Sequence, residues 1–152
     1  MEKTTFGAGC FWHVEHAFSH IKGIKSTAVG YMGGNLKDPS YRDVCTDKTG
    51  HVEVVQVNFD PKTVTYKQLL KVFWKIHDPT TPNRQGPDVG SQYRSVIFYH
   101  NKKQELETVQ SKKEAQKKLS VKIVTEIKKA AKFYKAEDYH QQYFQRRQGC
   151  HI

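Results

Sequence analysis

Cysteine is scarce in this chain: three residues, at positions 10, 45 and 150, with no Cys-x-x-Cys pair. An odd count of this kind argues against a structural disulfide framework. The missing pair excludes a zinc knuckle and a thioredoxin-type motif, leaving reactive thiols or ordinary buried cysteines. No apolar run approaches the roughly 18 residues of a membrane span. The opening residues, Met1 to Phe6, lack the charged-then-apolar layout of a secretory signal. Acidic side chains are outnumbered 15 to 25 by Lys and Arg, a net charge of +10, yet no nucleic-acid motif accompanies the excess. The imbalance sits in residues 101–152, with 13 basic and 6 acidic side chains against 12 and 9 in residues 1–100. There Lys102, Lys103, Lys112, Lys113, Lys117 and Lys118 alternate with Glu105, Glu107 and Glu114, the pattern of a solvated helix face.

Hydrophobic content is low at 37%, but aromatics reach 12%, and disordered chains lack aromatics. A chain of 152 residues suits one domain with a real core. The expectation is therefore a soluble, cytoplasmic, monomeric single domain over residues 1–152, with no membrane or nucleic-acid partner.

Along the chain, residues 3–9 read as a short strand ending in glycines. Phe11, Val14, Phe18 and Ile21 follow at helical spacing, and Gly23 stops that helix. A second strand is expected over 24–32 and a polar loop over 35–50. Residues 51–59 are the clearest strand. Thr65 and Gln68 then form a capping box with Val64 and Leu69 as its staple, opening a helix to about His77. Residues 78–92, rich in Pro and Gly, predict a long rigid loop, uncommon unless functional. Strands over 93–99 and 121–127, a basic helix over 102–119 and a short aromatic helix over 137–146 complete the pattern. The order predicts an α+β protein: a ferredoxin-like two-layer plait with a mainly antiparallel sheet, extra C-terminal elements and long loops.

Two residues carry chemistry in this reading. Cys10 stands where the first strand passes through Gly7 and Gly9 into a helix, and a helix N-terminus favours thiolate, the nucleophilic form. Phe11 and Trp12 beside it predict an apolar pocket. Glu53 shares strand parity with Val55, Val57 and Phe59, so its carboxyl is expected on the core side. Desolvation there raises a carboxyl's pKa and suits it to general-acid work. His16 and His20 stand four apart on one helix face, but no third metal ligand is spaced to join them, so no metal site is expected.

Gly9-Cys10-Phe11-Trp12 followed by Glu15 resembles the signature of the A-type peptide methionine sulfoxide reductases. So, in order, do the segments Gly30–Gly34, Tyr41–Cys45, Thr49–Glu53, His77–Pro79, Arg84–Asp88, Gly90–Ser95 and Ala136–Tyr143. The resemblance implies reduction of the S epimer of methionine sulfoxide, free or in proteins. It assigns Cys10 as nucleophile, Glu53 as the acid on the sulfoxide oxygen, and Tyr41 and Tyr93 as hydroxyls bonding that oxygen. Phe11 and Trp12 become walls for the S-methyl group, Asp88 orients the substrate, and Cys150 is the recycling thiol. It also implies no metal or organic cofactor, with thioredoxin or another dithiol as reductant. His13 stands where the family commonly has glycine, and a single resolving step is expected because only two residues follow Cys150. Cys45 reads as a buried small hydrophobe, with a competing resolver as the alternative.

Two other readings use the same residues. A cysteine hydrolase would pair Cys10 with His51 or His140 as base. A basic ferredoxin-like RNA-binding domain would need aromatics exposed on the sheet and an RNP-like pattern, and Tyr93–Tyr99 lacks the Gly-Phe-Gly-Phe character of such a strand.

Overall fold

A computed structural model of the protein describes residues 1–145. The chain runs β1 (Glu2–Ala8), α1 (Phe11–Ser19), β2 (Ile24–Met32), α2 (Tyr41–Cys45), β3 (Val52–Phe59) and α3 (Tyr66–Lys75). It continues through β4 (Arg84–Gln85), β5 (Asp88–Val89), a 3₁₀ turn (Ser91–Tyr93), β6 (Ser95–Tyr99), α4 (Lys102–Lys117), β7 (Glu126–Lys129), β8 (Tyr134–Lys135) and a second 3₁₀ turn (Asp138–His140). Six strands form one sheet in the order β7-β6-β1-β3-β2-β8, antiparallel except for the parallel β6–β7 pair. Its inner four strands, with α1 and α3 as crossovers, are the expected plait.

The core follows from the two periodicities. Phe11, Val14 and Phe18 of α1 and Leu69, Leu70 and Phe73 of α3 pack on Phe6, Val55, Val57 and Phe59 of the sheet, all buried. Phe6 stacks on Phe18 with ring centres 5.0 Å apart. On the opposite face Val52, Val54, Val96 and Phe98 are also buried, under Ala130 and Phe133. That face therefore offers none of the exposed aromatics that the RNA-binding reading requires. The box at Thr65 and Gln68 forms with both reciprocal bonds, while α4 buries only Gln104 and Thr108, as a Lys-studded solvated helix should.

Several boundaries differ from expectation. The polar stretch 35–50 holds α2, started by a second capping box between Ser40 and Asp43. The strand expected over 121–127 lies at β7. Of the aromatic helix expected over 137–146, the described residues hold the 3₁₀ turn and helical residues 143–145, and residue 146 lies outside them. The long loop contains the β4–β5 hairpin and is tied end to end. His77 donates through Nδ1 to the Phe73 carbonyl (2.6 Å), which leaves Nε2 to accept from the Ser95 hydroxyl (2.7 Å). Burial keeps this imidazole neutral, its pKa held down to about 4.

At the other end of the sheet the C-terminal segment closes on β2 so tightly that Gly30 is obligatory. A Cβ there would lie 2.4 Å from the Tyr134 carbonyl and 2.6 Å from the Phe133 ring. Gly30→Ala is expected to destabilise the fold by about 1–3 kcal/mol. The measurement is the denaturation midpoint, which should fall with the slope unchanged; a midpoint equal to the parent's would mean that the segment yields.

Candidate active site

Cys10 is the residue preceding α1, reached through Gly9 in a left-handed conformation (φ +100°) that L side chains rarely adopt. A Cβ on Gly9 would meet the Gln85 side chain at 2.9 Å, so the hairpin carrying Asp88 lies directly on this turn. The Cys10 carbonyl accepts the first helical bonds, from His13 (3.1 Å) and Val14 (3.3 Å).

Glu53 projects from β3 to the same place. It is 1% exposed, and its Oε1 accepts from the Phe11 backbone N–H at 3.3 Å, one of the helix-start donors with no partner inside α1. Its Oε2 is buried and has no hydrogen-bond partner among the described residues. Burial raises the carboxyl's pKa to about 8, the Phe11 N–H opposes this, and the charge on Asp88 adds to it. At neutral pH Glu53 is a carboxylic acid with an unused oxygen.

The thiol corrects one expectation. Backbone N–H groups of Trp12 and His13 do favour thiolate, as a helix start should, but burial outweighs them and the charges of Glu53 and Asp88 act in the same direction as burial. The Cys10 pKa rises to about 11. In the free protein the Cys10 thiol and the Glu53 carboxyl are therefore both protonated.

The phenols join this cluster. Burial first, then the Glu53 charge, raises Tyr93 to about 12 and pushes Tyr41 up as well, so both remain hydrogen-bond donors. Tyr93 is fixed through its 3₁₀ turn: Asp47 accepts from the Ser91 N–H (2.8 Å) and hydroxyl, and Arg94 donates to the Ser91 and Gly50 carbonyls (2.9 and 3.1 Å) and to Glu126 (2.8 Å). Tyr41 is held by Glu137, which accepts its backbone N–H at 3.1 Å. Phe11, Trp12 and Tyr41 form an aromatic group with ring centres 6.2–6.4 Å apart.

Six of the eight residues expected at the site thus converge by direct contact or by electrostatic coupling: Cys10, Glu53, Tyr41, Tyr93, Asp88 and Phe11. Trp12 stands beside Phe11 as the seventh. Cys150 lies outside the described residues. Cys45 is not the buried hydrophobe expected: it is exposed at the end of α2, and partial burial, with the Glu53 charge, pushes its thiol pKa up against the opposing hydrogen bond with the Tyr41 hydroxyl. The histidines proposed as hydrolase bases are otherwise engaged. His51 accepts the Gly34 N–H through Nδ1 (3.0 Å) and donates through Nε2 to the Leu36 carbonyl (2.7 Å), while His140 Nδ1 accepts from Trp12 Nε1 (3.0 Å). Among the described residues no group of three His, Cys, Asp or Glu side chains could hold a metal ion, and no helix is long and apolar enough to cross a membrane.

Glu137, Gln141 and Gln142 entered the sequence reading only within the Ala136–Tyr143 segment, and His140 besides that only as a candidate hydrolase base; none was assigned a role at the sulfoxide site. The signal available was their polarity in a segment flanked by aromatics, which marks chain that must satisfy hydrogen bonds on an apolar surface.

A plait that brings one thiol, one neutral carboxyl and two phenols to an aromatic cluster is suited to cysteine-based redox or transfer chemistry. Comparison with known proteins narrows this. The chain belongs to the peptide methionine sulfoxide reductase family, whose model matches residues 2–152, and is thus an oxidoreductase. It is 61% identical over 149 residues to peptide methionine sulfoxide reductase MsrA of Methanosarcina acetivorans, covering 97% of this chain and 79% of that one. Among solved structures it is similar to reduced Mxr1 of Saccharomyces cerevisiae, with a TM-score of 0.92 and 41% identity, over 95% of this chain and 84% of the other. Mxr1 in complex with Trx2 is also similar, with a TM-score of 0.67 and 30% identity over 93% and 84%.

Proposed function

We propose that residues 1–152 form one catalytic domain that reduces the S epimer of methionine sulfoxide, free or in oxidised proteins, by a sulfenic acid route. It works as a cytoplasmic monomer without metal or organic cofactor, where thiols such as Cys45 stay reduced. The observation that carries the reading is Glu53: a buried, neutral carboxyl with a free oxygen, electrostatically coupled to the Cys10 thiol.

In this reading the S-methyl group packs against Phe11 and Trp12, and Asp88 orients the substrate. The sulfoxide oxygen takes hydrogen bonds from Tyr41, Tyr93 and Glu53. Sulfoxide sulfur is a poor electrophile until its oxygen gains such bonds, and donors preorganised in a dry site can contribute about 3 kcal/mol each. As Cys10 Sγ attacks the sulfur, Glu53 gives its proton to the oxygen and takes up the thiol proton. The attack forms an S–S bond. The hydroxyl then passes from the substrate sulfur to Cys10 Sγ as that S–S bond and the substrate's S–O bond break, releasing methionine and leaving Cys10 as sulfenic acid. The free thiol is thus activated by substrate rather than by the helix end alone. Cys150 then condenses with the sulfenic acid, losing water to form a disulfide, and a dithiol reductant reopens it by exchange. Thioredoxin is the proposed reductant, supported by the relative solved with Trx2.

The test is the pH profile of the first turnover. Glu53 holds its proton below pH about 8, so the parent rate is flat below that pH and falls above it. Glu53→Gln should be slower by roughly 10²–10⁴-fold below pH 8, a general-acid contribution, and should lose the fall; the deficit then narrows as pH rises. A variant that keeps the parental profile would assign the titration to another group. Stability should move oppositely. The raised carboxyl pKa favours the fold below pH about 4.5, and that contribution is lost as pH rises to about 8. The always-neutral glutamine should therefore gain up to about 3 kcal/mol at pH 7, visible as a higher melting temperature.

A further inference from the structure

The indole assigned to the methyl pocket is held from outside its own helix. Trp12 Nε1–H donates to His140 Nδ1 at 3.0 Å, and Tyr143 lies flat on the indole, ring centres 3.9 Å apart at 10°. The same imidazole packs on Tyr41 at 4.4 Å and on Phe11 at 5.3 Å. One ring from the C-terminal segment therefore touches all three aromatic side chains of the recess. His140 is 2% exposed, and the bond to Trp12 is the one hydrogen bond of its ring among the described residues, since Nε2 is buried without a partner. An indole N–H only donates, so Nδ1 must carry the lone pair and Nε2 the proton. Burial holds the imidazole's pKa down and keeps it in this neutral form.

The chain carrying His140 is itself fixed on both sides. Glu137 accepts the Tyr31 hydroxyl (3.2 Å) and the Tyr41 N–H. Gln141 bonds both the N–H (2.8 Å) and the carbonyl (2.9 Å) of Val29, and buried Glu15 takes the Gln142 N–H (2.8 Å) and side-chain amide (2.9 Å). The imidazole is thus a fixed reference against which the indole is set.

We propose that His140 is a positioning residue for sulfoxide reduction. Through its Nδ1 bond it sets the plane of the Trp12 indole on which the S-methyl group packs, and its ring spaces that indole from Tyr41. The inference rests on Trp12 being a pocket wall. An indole free to rotate weakens substrate binding before any bond breaks, so the effect falls on half-saturation rather than on the limiting rate.

Three substitutions in the full chain test this in single-turnover reduction of methionine sulfoxide. His140→Phe keeps a packed ring and removes the acceptor. It should raise the half-saturating concentration about tenfold, the scale of one lost buried hydrogen bond, with the limiting rate within about twofold of the parent's. His140→Asn, whose carbonyl oxygen occupies the Nδ1 position, should restore most of the loss. Trp12→Phe should raise half-saturation by itself, and adding His140→Phe to it should change nothing further. The chain has two tryptophans, and Trp74 donates to Ser111 instead. In a Trp74→Phe background the emission therefore reports Trp12 alone: His140→Phe should shift it and His140→Asn should return it. Unchanged half-saturation in His140→Phe, or effects that add to those of Trp12→Phe, would overturn the role of His140. No effect of Trp12→Phe alone would remove the wall itself, and the inference with it. Should the phenylalanine protein fail to fold, His140→Gln, with its amide displaced to the ε position, takes its place with the same rise expected.

Discussion

Cys10→Ser is expected to release no methionine from methionine sulfoxide above background, in the first turnover or any later one. The reason lies in the element as much as in acidity. Sulfur accepts the oxygen and is oxidised by two electrons to a sulfenic acid, a step for which a serine hydroxyl has no counterpart. Serine is nearly isosteric and Cys10 is half-buried, so the fold should persist, as an unchanged circular dichroism spectrum would show. Quantifying released methionine decides the matter: even about a tenth of the parent rate would remove Cys10 from the nucleophile's role. The neutral state of the thiol sharpens the expectation. With a pKa of about 11 the free enzyme holds almost no thiolate at neutral pH. Reactivity must then come from the recess assembled around the sulfoxide, which no hydroxyl can use.

Cys150→Ser is expected to release about one methionine per enzyme and then stop, with thioredoxin unable to restart it. The mass of the whole protein after exposure to methionine sulfoxide, without reductant, gives the second reading. The parent should lose two hydrogens, mapped to the peptides holding Cys10 and Cys150, whereas the variant should retain an added oxygen at Cys10. If Cys45→Ser produces the stop instead, the resolving thiol is Cys45. That alternative has structural standing, because Cys45 is exposed and lies against Tyr41 rather than buried away from it.

Much of this arrangement was legible before any coordinates. Strand parity put Glu53 on the core side with Val55, Val57 and Phe59, and all four are buried there. Helical spacing located Phe11, Val14 and Phe18, and the Thr65–Gln68 box started α3. The box at Ser40 and Asp43 was equally present in the sequence, but the surrounding Gly, Pro and Asp made the stretch read as loop. The C-terminal segment was the least legible. Strand β8 is two residues long and leaves no periodicity, and His140 accepts its hydrogen bond from Trp12, 128 positions away.

By itself the sequence determined which residues stand on a strand face, at a helix start or in a turn, because these depend on neighbours within a few positions and on fixed periods of 2 and 3.6 residues. Only the tertiary structure decided protonation and wall geometry. The Cys10 thiol stays neutral because burial, assisted by carboxyls from β3 and the β4–β5 hairpin, outweighs the local N–H groups at the helix start. The Trp12 indole is oriented by a segment from the far end of the described chain. Desolvation and long-range contact are sums over surroundings that exist only once the chain has folded.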